Sequence, residues 1–172
     1  NQTVFLTEVK KMFKKLKSVL ISDLPVDKDE FAIYANDINL TRAKYFSIAF
    51  ILLEIFVVIT SFFIRGKGFF EKPAIYYLGM YIMMLTVMPV FLAVFVKYEK
   101  DIPKNVRKIS ATGTLFAAFM LLWCAFISLL DQLSYGQIII YIGCAIFIAV
   151  VSYIQPAKML IIYTTVQILF LV

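Results

Sequence analysis

A run of apolar residues from Ala43 to Ile64 constrains this chain more than any other feature of its sequence. From Tyr45 onwards the run contains one formal charge, Glu54. A helix rises about 1.5 Å per residue, so the run reaches roughly 33 Å, enough to cross a hydrocarbon core of about 30 Å. A lone segment crossing lipid satisfies its backbone polar groups as a helix. The run therefore predicts a transmembrane helix with Glu54 near its middle.

The composition agrees with a membrane protein. The chain has 172 residues, of which 62% are hydrophobic, whereas soluble domains contain about 45–50% apolar residues. Its net charge of +6 is better explained by topology and lipid headgroups than by nucleic-acid binding. Histidine is absent, and Cys124 and Cys144 lie inside apolar runs, where we expect packing thiols. No metal cluster, phosphate-binding glycine loop or nucleophile motif is visible, so we predict no cofactor, no metal and no catalytic residue in this segment.

The hydrophobic pattern predicts an all-α membrane protein built as a bundle of about five transmembrane helices. Residues 1–42 are expected to form cytoplasmic amphipathic and juxtamembrane helices, and residues 43–172 a transmembrane sensor bundle. The chain begins without methionine and ends inside an apolar run, so we expect a fragment of a longer protein with a sixth span beyond Val172. The five predicted spans cover about 43–64, 73–96, 109–130, 137–153 and 157–172.

Before the first span, residues 3–21 place apolar side chains at helical spacing between five lysines. This amphipathic helix either lies on an anionic leaflet or packs as a short coiled coil. Pro25 should end it. A capping box at Asp27 and Glu30 predicts a second helix, which runs into the first span or bends at a hinge near residues 36–39.

The middle of the chain contains two prolines and a charged segment that bear on where helices begin and end. Pro73 suits the first turn of the second span, whereas Pro89 should kink or locally break it. Residues 97–108 carry five basic and two acidic side chains and predict a solvated loop. Small residues from Ser110 to Ala118 favour close contact between helices.

Lysine and arginine predict the orientation of the bundle. The segment up to Lys44, where the uninterrupted apolar run begins, carries eight basic residues, the 97–108 segment five and the 154–158 turn one. The 65–72 segment carries three and the 131–137 segment none. We therefore expect a multi-pass protein of the bacterial cell membrane with a cytoplasmic amino terminus.

Glu54 is the strongest functional candidate, because a carboxylate at the bilayer centre costs at least a few kcal/mol. It either binds a ligand or senses protons, or it is a neutral acid that holds helices together by hydrogen bonds. In the second case Gln167, Thr164 and Thr165 on the fifth span are partners of the right type. In the first case Gln167 is a further candidate for ligand binding or sensing.

The connection between the third and fourth spans is short, polar and free of basic residues. It either contributes to an extracytoplasmic recognition pocket or forms an ordinary tight hairpin, in which Asp131 closes the turn and Gly136 permits it. The candidate recognition residues in this connection are Asp131, Gln132, Tyr135 and Gln137.

Several segments resemble the amino-terminal membrane region of certain Firmicutes diguanylate cyclases. They are Trp123-Cys124 leading into LLDQLSYGQIIIYIG, the Pro156 turn followed by a span with Gln167, and the approach from Asn39 to Arg42. The resemblance covers most of residues 36–172. It implies a multi-span input region placed before a cytoplasmic GGDEF domain, whose nucleotide- and magnesium-binding residues would follow Val172.

These features predict a sensory and anchoring input domain of a bacterial signal-transduction protein. The expected partners are the lipid bilayer, a downstream cytoplasmic output domain, most simply a diguanylate cyclase, and a second copy of the chain. A sensor histidine kinase is an alternative output. Two other classes remain open, a small permease whose path is lined by Glu54 and the Pro89 kink, and a passive anchor.

Overall fold

The computed structural model describes residues 11–12, 28–135 and 139–171. The chain divides into two compact units, Asn1–Phe31 and Ala32–Val172. Within the first unit Lys11 and Met12 are helical and exposed. The remainder of the predicted amphipathic helix, Pro25 and Asp27 lie outside the described residues.

The described residues form helices joined by short connections, which confirms the all-α fold class. The helices are α1 (Lys28–Arg65), a 3-10 helix (Gly66–Phe70), α2 (Ala74–Glu99), α3 (Ile102–Tyr135), α4 (Ile139–Val151) and α5 (Pro156–Leu171). Gly66 ends α1 in the left-handed region, with φ of 53°, where a residue without Cβ is favoured.

Three helices, α1, α2 and α3, are long and apolar enough to cross a membrane. Helices α4 and α5 are also apolar but have 13 and 16 residues. They reach roughly 20 and 24 Å, less than a hydrocarbon core of about 30 Å. The first three predicted spans therefore coincide with helices of spanning length, whereas the fourth and fifth stay predictions.

Helix α1 is continuous through the asparagines that we considered as a hinge. The side-chain amide of Asn36 donates to the carbonyl of Ala32 at 2.7 Å. This side chain therefore hydrogen-bonds within the helix and does not interrupt it. Asn39 is engaged elsewhere, by the backbone of Tyr153. From Ala32 onwards the helix therefore runs into the first span without a hinge at these asparagines.

The predicted loops are shorter than their polarity indicated. The interpretation of residues 97–108 as a loop is wrong, because α2 runs to Glu99 and α3 starts at Ile102. Asp101 accepts a hydrogen bond from the Lys104 amide at 3.3 Å, which caps the new helix. The charges thus mark helix ends that extend beyond the apolar layer.

One proline lies just before α2 and another lies inside it. Pro73 directly precedes the first residue of α2, one position before the first turn in which the sequence predicts it. Pro89 is expected to kink or break the helix, yet α2 is assigned without interruption from Ala74 to Glu99. Pro89 is exposed, whereas Met84 and Met88 on the same helix are fully buried.

Helix α3 is the centre of the bundle and α1 is peripheral. In the most apolar window of α3, 44% of the residues are buried, compared with 11% in the same kind of window of α1. Helix α3 packs against α2, α4 and α5. Ser128 on α3 accepts a hydrogen bond from the Tyr141 amide at 2.8 Å, which satisfies one of the free N–H groups at the start of α4.

Candidate functional site

Glu54 is enclosed inside the bundle without a hydrogen-bond donor for one of its carboxylate oxygens. The residue is 2% exposed, and within the described part of the chain its Oε2 atom has no partner. Its position follows from the helical period, because Leu40, Ala43, Ser47 and Glu54 recur at steps of three, four and seven and are all buried. The buried stripe turns Glu54 inward.

A thiol lies close to this carboxylate in the centre of the bundle. Cys124 on α3 interacts electrostatically with Glu54 and with the Cys144 thiol on α4. The Cys144 thiol also lies 3.7 Å from the Met120 carbonyl oxygen. Both cysteines are free. We name Glu54, Cys124 and Cys144 the core site. It joins α1, α3 and α4 through polar side chains at mid-span.

The partners that the sequence offered to Glu54 are placed elsewhere. The amide oxygen of Gln167 accepts a hydrogen bond from the Tyr141 hydroxyl at 3.0 Å. Thr164 and Thr165 are exposed. The structure therefore does not support the interpretation that these three residues hold Glu54 in place by hydrogen bonds.

Asp131 lies at one end of the bundle, seven residues from Cys124 and so about 10 Å further along α3. It is not in a turn as predicted, because α3 continues to Tyr135. The Tyr77 hydroxyl donates to Asp131 Oδ1 at 2.8 Å, which ties α2 to α3. Around this bond lies a cavity of about 160 Å³ that is lined by Ser61, Arg65, Phe69, Ala74, Tyr77, Tyr81 and Asp131.

Gln132, whose side chain the structure describes, is not in the wall of that cavity. Gln132 is exposed on the last turns of α3. Gln137 and the side chain of Tyr135 lie outside the described residues. Of the four candidates, Asp131 is the one that the structure places in a lined cavity.

An apolar cavity of about 420 Å³ separates α1 from α3 and α4 next to the core site. Cys124 and Cys144 form part of its wall. Phe46 and Phe147 approach across it, with ring centroids 4.8 Å apart. Because protein interiors normally leave few voids larger than a water molecule, α1 is held less tightly than the helices of the core.

The opposite end of the bundle brings together the segments that are rich in lysine and arginine. We name it the basic end; it comprises the approach to the first span, the break after Lys100 and the turn after Val151. Lys44 forms an ion pair with Glu99, and the Lys158 ammonium lies 3.5 Å from the Ser110 hydroxyl. Basic and non-basic connections therefore lie at opposite ends of the bundle, in line with their alternation along the sequence. The orientation of the bundle in the membrane stays a prediction.

Two side chains at the basic end have a structural role that sequence reasoning missed. Asn39 accepts a hydrogen bond from the Tyr153 amide at 2.8 Å and donates to the Tyr153 carbonyl at 2.9 Å. The Arg42 guanidinium donates to the Val151 carbonyl at 2.6 Å and lies 5.1 Å from the centre of the Tyr153 ring. The sequence signal is weak: Asn39 and Arg42 are three residues apart, on one helix face.

Comparison with known proteins gives no relative. No family model, curated protein or solved structure matches this chain. Among the described residues, no group of three or more histidine, cysteine or carboxylate side chains is placed to hold a metal ion. The geometry of the bundle is therefore the basis for any functional conclusion.

Proposed function

We propose that this chain is a membrane-embedded sensory and anchoring input domain of a bacterial signal-transduction protein. The observation that carries the proposal is Glu54, a carboxylate 2% exposed with an unbonded oxygen in a helix of membrane-spanning length. Ionisable groups at such depth are expensive and generally face a functional partner. A group that is buried and incompletely bonded responds to a proton or a polar ligand.

The mechanism that fits this site is a shift between two packings of α1 against the core. Helix α1 is peripheral and borders the 420 Å³ cavity, so it can move with little loss of packed surface. A proton or ligand that interacts differently with Glu54 in the two packings would change their populations. We expect the shift to pass through the core helices and down a helix that follows the bundle to the output domain.

The output that we propose is a cytoplasmic diguanylate cyclase, and its support is the resemblance described above. The coding sequence after Val172 tests this part. A further span, a helical linker and a GGDEF stretch would support it. A polypeptide that ends there, or that continues into more permease-like spans, would contradict it and favour a transporter. The exposed position of Pro89 gives no support to a path lined by that residue.

The test of the sensor mechanism is cyclic di-GMP synthesis by the parent protein with Glu54→Gln and Glu54→Leu. Glutamine removes the titratable group and leucine removes all polarity, so we expect both to lock activity at one level that no longer responds to the conditions that change the wild type. Glu71→Gln is the matched control, because Glu71 is an exposed carboxylate outside the helices. If both Glu54 variants respond as the wild type does, the sensing role of Glu54 is wrong.

A further inference from the structure

Two cavities adjoin at the basic end and differ in polarity. The first is a polar pocket of about 40 Å³ that includes Asn39, Arg42, Ser110, Thr114 and Tyr153 in its wall. The second is the apolar cavity of about 420 Å³. The two share four wall residues and therefore adjoin; we name them together the depression, which is polar at the bundle end and apolar towards its middle. The shared residues are Phe46, Phe116, Val151 and Ser152.

The polar pocket carries positive charge that nothing in the described structure neutralises. Arg42 lines it, and Lys158 reaches Ser110 in its wall. Among the described residues no carboxylate pairs with either cation, whereas the neighbouring Lys44 is paired with Glu99. Arg42 has five N–H donors, and one bond to the Val151 carbonyl leaves most of them for an anionic group.

The apolar cavity has the size and lining of a ligand site. Its volume lies within the roughly 300–1,000 Å³ of small-molecule pockets. Its wall contains aliphatic and aromatic side chains from α1, α3 and α4, among them Leu53, Met120 and Trp123. Because α1 and α3 are of membrane-spanning length, the molecules that surround this depression are lipids, and their acyl chains match its apolar part.

We propose that the depression binds an anionic phospholipid of the leaflet at the basic end. The phosphate group lies at the mouth of the polar pocket, against Arg42 and Lys158, because a pocket of about 40 Å³ holds a few water molecules and not a whole headgroup. One acyl chain fills the apolar cavity between α1 and the core. This inference deepens the proposed function by naming a ligand class for the sensor bundle, but the binding itself requires no output domain.

Trp123 provides a direct readout, because it is the only tryptophan of the chain and lines the apolar cavity. The full 172-residue chain is placed in nanodiscs of phosphatidylcholine that contain a low fraction of brominated phosphatidylglycerol or, in a parallel sample, of brominated phosphatidylcholine. Bromine on the acyl chain quenches tryptophan on contact. We expect the anionic lipid to quench Trp123 at an at least about fivefold lower fraction, since each nearby cation favours an anionic lipid by about 1 kcal/mol.

Charge variants separate a site from general attraction to the surface. Arg42→Gln with Lys158→Gln should abolish the preference for the anionic lipid, and Lys158→Gln alone, at an exposed side chain, should reduce it without loss of the fold. Lys104→Gln with Arg107→Gln removes the same charge from exposed positions and should leave the preference intact. Equal quenching by the two brominated lipids, or an equal loss of preference in both double variants, would overturn the proposal.

A cavity variant tests the position of the acyl chain. Gly143 lines the apolar cavity, and a Cβ added there meets no atom within 4 Å. Gly143→Leu should fill the space and weaken quenching by the anionic lipid, while Gly79→Leu, at an equally open position on α2, should not. Unchanged quenching in Gly143→Leu would contradict this binding mode. Failure of these experiments leaves the test at Glu54 unaffected, so the two proposals fail separately.

Discussion

The carboxyl group of Glu54 is buried on all sides and yet incompletely bonded. A buried polar group without its partner lowers stability by about 1–3 kcal/mol, and lipid around the bundle offers no water to replace that partner. The weakly polar thiol of Cys124 interacts with it, yet the Oε2 atom of Glu54 has no hydrogen-bond partner within the described residues. We therefore expect Glu54 to lower the stability of the bundle.

Replacement of Glu54 by leucine should stabilise the chain by about 1–3 kcal/mol, because it removes the unbonded oxygen from the bundle interior. Thermal unfolding in detergent, followed by far-UV circular dichroism, measures the change. Thr60→Val is a matched control on the same helix, since the Thr60 hydroxyl is bonded to the Phe56 carbonyl at 2.8 Å, and we expect no gain there. A lower unfolding temperature for Glu54→Leu would show that the carboxylate is satisfied.

At this scale the sequence identified Glu54 but not its surroundings. A single charge inside an apolar run is conspicuous without any structure. The hydrogen bonds of Asn39 and Arg42 cannot be recognised in the sequence, because their partners are backbone groups of Tyr153 and Val151, more than 100 residues away. A backbone carbonyl has no sequence signature, so contacts of this type require the fold.

The helices agree in number with the apolar runs of the sequence but differ from them in length. The apolar runs located the cores of α1, α2 and α3, since burial in lipid requires consecutive apolar residues. Helices continue past the apolar runs through charged residues, as at Glu99 and Asp131, and the hydrophobic pattern cannot show where they end. Local bonds decide those ends, such as the Asp101 cap of α3.

The contact between α3 and α4 should depend on Ser128, whose hydroxyl oxygen accepts from the Tyr141 amide while fully buried. Ser128→Ala removes that acceptor and should lower the free energy of unfolding by about 1–2 kcal/mol, as loss of a helix cap does. Thermal unfolding in detergent again provides the measurement. Ser134→Ala, at an exposed position of the same helix, should be neutral. Equal effects of the two substitutions would contradict this account of the start of α4.

In the whole molecule, a packed core of α2, α3, α4 and α5 carries a more loosely held α1. The core is centred on α3, and the apolar cavity lies where α1 meets it. This asymmetry was not predictable from sequence, because all the apolar runs look alike in hydropathy. The asymmetry arises because some helix faces are more complementary than others. Complementarity depends on side chains that the fold brings together.

The basic end should face the cytoplasm, because lysine and arginine are retained on that side. In a variant without Cys124 and Cys144, a single cysteine introduced at the exposed Lys104 or the exposed Glu71 reports sidedness. A membrane-impermeant maleimide added to intact cells should label Glu71→Cys, and it should label Lys104→Cys only after permeabilisation. Labelling of Lys104→Cys in intact cells would reverse the orientation.

Carbodiimide labelling of carboxyl groups in native membranes tests the central claim most directly, namely that Glu54 is an acid enclosed between helices in lipid. Dicyclohexylcarbodiimide partitions into the bilayer, whereas a water-soluble carbodiimide reaches exposed carboxylates such as Glu71. We predict that mass spectrometry finds the adduct on Glu54 with the apolar reagent alone. Modification of Glu54 by the water-soluble reagent at the rate of Glu71 would contradict the account.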